Sequence, residues 1–347
     1  MQATAALNPT LETYQLYADI QQFPLSAYLT DMPLGPLTGH VGAAGTGFDL
    51  MSVRTQLTAD AEIEKFHYDR YDLSGIKFGA DLKRGIAQAT FDADNSLLVA
   101  GGKLQANLNG NRYDLTLDTQ IPHIDMMQLG ATAKPFFLGS DISIHANTDA
   151  RFTDIRIEGG ARHNHFTTPQ KSTMGKDIIF NFATNTDTTT THIHAGDLAI
   201  NLGAKGNLEL LSAQTTQFIS ELSTQLENKI IDQNVLKDKL PTLAFHVEVG
   251  KRNPLYKIAR LSGYDFSTGH IHFTSDPDKG LYSKGHLGSL RIGNLLLDTI
   301  NTYVKQDTTG VQFFAPVEEQ QEELHAARTG HEVVHPRGWR RSPCGLF

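Results

Sequence analysis

Residues 103–119, KLQANLNGNRYDLTLDT, alternate apolar and polar side chains on both sides of an Asn-Gly pair. Leu104, Ala106 and Leu108 fall on one face, and Gln105 and Asn107 on the other. After Asn109-Gly110-Asn111, Tyr113, Leu115 and Leu117 alternate with Asp114, Thr116 and Asp118. Two period-two runs joined by such a turn predict a β-hairpin with one greasy and one wet face. The fold must therefore supply a cover for the greasy face.

The same pattern recurs along the chain. Ile76-Phe78-Ala80-Leu82, Leu97-Val99, Ile142-Ile144-Ala146, Ile155-Ile157, Ile178-Phe180-Phe182, Leu198-Ile200-Leu202 and Leu243-Phe245-Val247-Val249 all alternate. So do segments near Ile271-Phe273, Leu281, Leu287, Leu290-Ile292 and Val311-Phe313. The expected content is on the order of twenty strands, mostly five to seven residues long. The 30 glycines suit many tight turns. No sequence of fixed period repeats, which excludes an ordinary leucine-rich or hexapeptide solenoid.

Helices are expected in few places. Leu211, Phe218, Leu222, Leu226 and Ile230 recur at helical spacing over 208–231, and NVLKDKL adds a short turn ended by Pro241. Residues 11–31 read as a short helix broken at Pro24. Residues 121–130 read as one or two helical turns, and 162–177 as a polar loop. The domain reading is an N-terminal helical or irregular segment (1–36), a β region (37–317) with a helical insertion at about 208–240, and a tail (318–347). That tail holds the only Trp and the only Cys, shows no alternation, and is expected to lie outside the fold.

A net charge of −8 without a basic stripe argues against nucleic-acid binding. A single cysteine, Cys344, permits no intrachain disulfide. No signal peptide stands in the first thirty residues, and no run is long and apolar enough for a membrane helix. The chain is expected to be a piece of a longer exported protein.

Three His-x-His pairs, His163/His165, His192/His194 and His270/His272, place two imidazoles on one strand face, the spacing that grips a metal edge-on. No Cys and no third ligand at fixed offset accompanies them, so they are read as solvent-facing, with no metal expected. GAAGTG (42–47) mimics a phosphate loop, but neither the helix nor the lysine follows. No Gly-x-Ser-x-Gly elbow and no His-Glu-x-x-His is present. The chain is read as a non-enzyme without a cofactor.

One-sided strands in this number can pair as a sandwich, close as a barrel, or curl into a trough. No linkers mark sandwich domains of about a hundred residues. The strands look short for a transmembrane barrel, and aromatics are only 8%. The expected fold is therefore mainly β: an elongated curled antiparallel sheet forming a groove, with one or two short amphipathic helices. Its apolar lining would include Leu104, Leu108, Leu115, Leu117, Ile142, Ile144, Ile155, Ile157, Phe180, Phe245 and Val247.

The segments LTGHVGAAGTGFDL (37–50), IEKFHYDRYDLSGIKFGADLKRGIAQATFDADN (63–95) and IIDQNVLKDKLPTLAFHVEVGKRNPL (230–255) resemble the bacterial TamB proteins of the AsmA-like group. The resemblance extends over most of residues 20–317. It implies a taco-shaped β-groove crossing the periplasm, anchored at the inner membrane by a segment not in this chain. It further implies transport of phospholipid to the outer membrane and support of outer-membrane protein assembly. The expected partners are phospholipid acyl chains and, through the complete chain, an outer-membrane β-barrel assembly protein. Two other readings are an adhesin stalk or autotransporter passenger with a self-filled core, and a chaperone that pairs unfolded barrel strands at its edge.

Overall fold

The computed structural model describes residues 2–8, 12–29, 32–229, 232–261, 263–293, 295–307, 310–315 and 317–319. The first strands are β1 (Gln2–Asn8), β2 (Thr13–Pro24), β3 (Pro36–Thr46), β4 (Gln56–Lys65), β5 (His67–Tyr68), β6 (Tyr71–Asp72), β7 (Ile76–Lys83), β8 (Ile86–Asp94) and β9 (Leu98–Asn107). The middle holds β10 (Arg112–Asp125), β11 (Phe137–Asp149), β12 (Ile155–Thr167), β13 (Ser172–Met174), β14 (Ile178–Thr184), β15 (Thr188–Ala195) and β16 (Leu198–Lys205). Helices α1 (Leu208–Asn228) and α2 (Gln233–Asp238) precede β17 (Leu243–Val249), and α3 (Pro254–Leu261) follows it. The chain continues with β18 (Tyr264–Asp265), β19 (Gly269–Asp276), β20 (Gly280–Ile292), β21 (Leu295–Asp307), β22 (Gly310–Phe314) and β23 (Val317–Glu319).

These form one antiparallel sheet of 21 strands, with β5 and β6 apart as a small hairpin. Each main strand pairs with the next in sequence, from β1–β2 and β2–β3 to β20–β21 and β21–β22. The α1–α2 insertion interrupts the series without changing it, since β16 pairs with β17. At about 4.8 Å per pairing the row is roughly 80 Å long. The sheet is not closed into a barrel, as the trough reading requires. A meander of this kind puts nearly all contacts between sequence neighbours, so each strand is held chiefly by the two beside it.

Register keeps the greasy sides together across the whole row. Leu104 lies opposite Leu117, Leu117 opposite Ile144, and Ile144 opposite Gly159. The line continues through Phe180, Ile193, Ile200 and Val247 to Ile271. A one-residue slip anywhere would turn a strand's apolar set to water, which fixes the register.

Several expectations are corrected. Residues 13–24 are a strand rather than a helix, and only Leu25–Ala27 makes a 3₁₀ turn: Tyr14, Leu16, Ala18 and Ile20 form the inward face of β2, and the sheet begins at Gln2 rather than at residue 37. Tyr17, exposed on the other face, produced the false helical spacing. Residues 162–177 continue β12 to Thr167 and add β13. Residues 121–125 belong to β10, which bulges around Pro122, and turns follow. Many strands are also longer than expected, reaching 14 residues in β10 and 13 in β11 and β12. Pro122, Gly139 and Gly159-Gly160 lie within continuous strands. A proline in a bulge forfeits no ladder bond there. The tail from residue 320 and Ile230 of the expected helical stripe lie outside the described residues.

The β11–β12 connection is held by Asp149. Its carboxylate accepts from Thr153 N at 2.6 Å, Thr153 Oγ1 at 2.7 Å and Asp154 N at 2.9 Å. The Asp154 N–H and the Thr153 hydroxyl lower its pKa to about 2. A carboxyl more acidic in the folded state stabilises the turn above the unfolded pKa near 4, and the contribution is lost as pH falls from there through about 2. Amide exchange at 149–154 should therefore speed up across that window. Asp149→Asn should remove the pH dependence while leaving exchange in β10 unchanged.

Candidate functional site

The eleven side chains expected to line the groove share one face. Leu104, Leu117, Ile144, Phe180 and Val247 belong to the row traced above. Leu115 leads through Ala146 and Ile157 to Phe182, and Leu202 meets Phe245 in the same register. Ile142 lies opposite Ala161, and Ile155 opposite Thr184. Leu108 extends the face past the end of β9, where its N–H donates to Gly85 O at 2.7 Å.

All eleven are half-buried, neither sealed nor free. Full burial falls mostly toward the strand ends, at the two long rims of the sheet, with Ala18 of β2 and Thr119 of β10 as small mid-strand exceptions. Among the described residues, the fully buried apolar side chains are few, many are alanines, and no large one sits at a strand centre of this face. Among the described residues no second layer covers the middle of the sheet.

The rims are built by the helices and one loop. Along one rim, Leu208 N donates to Thr184 Oγ1 at 3.0 Å where the start of α1 meets the end of β14. At the far end, Gln306 Nε2 of β21 donates to Gln233 O of α2 at 3.3 Å. A 21-residue helix is roughly 30 Å long, about the six strand spacings from β14 to β21. Buried Thr184, Thr189, Ala204, Ser275 and Gln306 mark the strand ends beneath it, and all belong to the apolar face. Of the expected stripe, Leu211 is buried and Phe218 and Leu222 are half-buried, whereas Leu226 is exposed. Lys239 pairs with Glu221, tying the end of α2 to α1.

The opposite rim is closed by α3, which the sequence did not suggest, and by the 126–136 loop, whose first residues fall in the segment expected as helical turns. Asn253 Oδ1 caps α3 by accepting from Tyr256 N at 2.8 Å, and its amide donates to Asp197 Oδ1 at 2.7 Å. Burial pushes the Asp197 carboxyl up, but the Asn253 and Arg252 N–H groups outweigh it and hold it low. Asn253 followed by Pro254 is a recognisable helix start, though α3 is too short for a clear period. Lys257 stands 4.8 Å over the Phe166 ring, and Phe166 stacks on Phe136 at 5.8 Å.

Glycines shape the lining itself. The Phe180 ring lies across Gly159 so closely that a Cβ there would meet its Cζ at 2.9 Å. Phe91 covers Gly102 in the same way. The rings thus lie along the sheet and leave the space above it open.

The other face is polar. A broad depression of about 1250 Å³ lies on it, walled by Asp92, Lys103, Asp118, Asp141, Glu158 and Arg162. His145 stands at its edge, 2.8 Å from Asp114 and 3.4 Å from Glu158, which raise its pKa. The three His-x-His pairs also lie on this side. His163 occupies the bulge of β12 with positive φ and contacts Asp141 at 2.7 Å, while His165 reaches Pro122 O at 3.2 Å. They therefore do not act as one edge-on pair. Among the described residues no three metal-ligating side chains converge, and no helix is long and apolar enough to cross a membrane. Comparison with known proteins finds no matching family model, curated protein or solved structure.

Proposed function

We propose that this chain carries phospholipid acyl chains along the apolar face of its sheet, as a segment of a periplasm-spanning bridge of the TamB and AsmA-like kind. The observation that carries the reading is the uncovered strip between the two rims. Side chains such as Leu117, Ile144 and Phe180 stay half-buried along the row from Leu104 to Val247, roughly 34 Å across the strands. An apolar surface that long on one face signals a partner.

The chemistry suits a diacyl lipid. Each methylene removed from water contributes about 0.8 kcal/mol, so one tail is held firmly. The lining repeats nearly the same aliphatic surface from strand to strand, giving many positions of similar energy between which a tail can slide. Head groups remain in water above the strip. The half-buried state of the lining favours this reading over an adhesin with a self-filled core.

Organic extraction of protein purified under mild conditions, followed by mass spectrometry, tests the reading. Retained phospholipid is the expected result. Protein that stays folded and free of lipid after incubation with phospholipid vesicles would count against it.

A further inference from the structure

The polar face carries a second arrangement, independent of the lipid reading. On β19, His270 and His272 point to the same side. Register sets His246 of β17 beside His272, and Glu248 of β17 beside His270. On the other flank, β20 sets His286 beside His270 and Lys284 beside His272. Four imidazoles and a carboxylate from three adjacent strands therefore occupy one patch. The rings of His270 and His286 stack with centroids 5.2 Å apart, and His246 meets His272 edge-on at 6.0 Å.

The His286 ring is already oriented. Its Nδ1 lies 2.9 Å from Asn301 Oδ1 on β21. An amide oxygen only accepts, so in the neutral ring Nδ1 donates the hydrogen bond and Nε2 is left with its lone pair. A hydrogen-bonded Nδ1–H behind a free Nε2 is the arrangement by which a neighbouring group fixes a metal-ligating histidine. Glu248 is engaged by His246 Nε2 at 3.1 Å, so it stands at the edge of the patch.

We propose that His270 and His286 form a two-imidazole site for a borderline divalent transition metal of the copper, nickel or zinc type. Imidazole nitrogen is a good donor for these ions. Directly opposed strand positions place Cβ atoms about 5 Å apart, within which two rings can turn toward one ion. Water supplies the remaining donors, since no third protein ligand converges there among the described residues. His192 is the internal comparison: it has the same kind of amide partner, Asn201 at 2.8 Å, but no histidine opposite it.

Equilibrium dialysis of the purified, untagged chain against Cu²⁺ and Ni²⁺ tests the site. One ion per chain is expected to bind more tightly than any others. His270→Ala and His286→Ala should each weaken it by about tenfold or more, and Asn301→Leu by a comparable factor through loss of ring orientation. His192→Ala should leave it unchanged, and circular dichroism should be the same for all variants. The Cu²⁺ form should show coupling to two imidazole nitrogens in pulsed electron paramagnetic resonance. Binding in the His270→Ala/His286→Ala double variant equal to that of the parent chain would overturn the proposal. So would a loss in His192→Ala as large as that in His286→Ala.

Discussion

Ile144→Asp should strip bound phospholipid from the protein while the sheet remains folded. Ile144 sits mid-strand between Leu117 and Gly159, with Leu104 and Phe180 next along the row. It is half-buried, so an aspartate there stays hydrated when the strip is empty and costs the fold little. An acyl chain crossing that point would have to cover the carboxylate, and desolvating an unpaired charge costs several kcal/mol. At about 1.4 kcal/mol per factor of ten, lipid occupancy near the site should fall at least tenfold. Gln105→Asp is the matched control. Gln105 neighbours Leu104 in sequence but faces the other side, opposite Gln88 and Thr116. The measurement is phospholipid per protein in organic extracts, with thermal melts to confirm that both variants fold.

Phe136→Ala should be the most damaging of the packing changes. Phe136 is 1% exposed and stacks on Phe166, which carries Lys257 of α3 above it. Truncating a buried phenylalanine typically costs about 3–5 kcal/mol. In a sheet held by nearest neighbours, that loss is local. Hydrogen exchange should accelerate in β10–β12 and α3, and stay unchanged in β2–β4. Uniform acceleration over the whole sheet would show instead that the structure unfolds as one unit.

Much of the architecture was legible because register and alternation share one period. The 103–119 hairpin was readable from its side-chain pattern, and Leu104 does oppose Leu117. The eleven side chains named from the sequence share one face for the same reason: once strands are antiparallel and in register, every apolar set lands on one side. β2 was misread because Tyr17 adds an apolar residue to the wrong face and mimics helical spacing. The long central strands were read as shorter pieces because Pro122 and the glycines look like stops until a bulge or a covering ring explains them. The rims were illegible for a different reason. The 126–136 loop has no periodicity, and Phe136 is buried by contacts made far away in sequence. The histidine patch was half visible: the spacing of His270 and His272 shows on one strand, but their juxtaposition with His246 and His286 depends on the register of three.

The most direct test compares two adjacent residues. A photoreactive benzophenone amino acid is placed at Leu117 in one variant and at Asp118 in another, and each is irradiated in the presence of phospholipid vesicles. Leu117 lies on the uncovered apolar strip and Asp118 on the opposite face, next to Lys103 and Ser143. Lipid adducts at 117 and not at 118 are the predicted result. Equal labelling at both positions, or none at 117 in a folded protein, would contradict an acyl-chain path along this face.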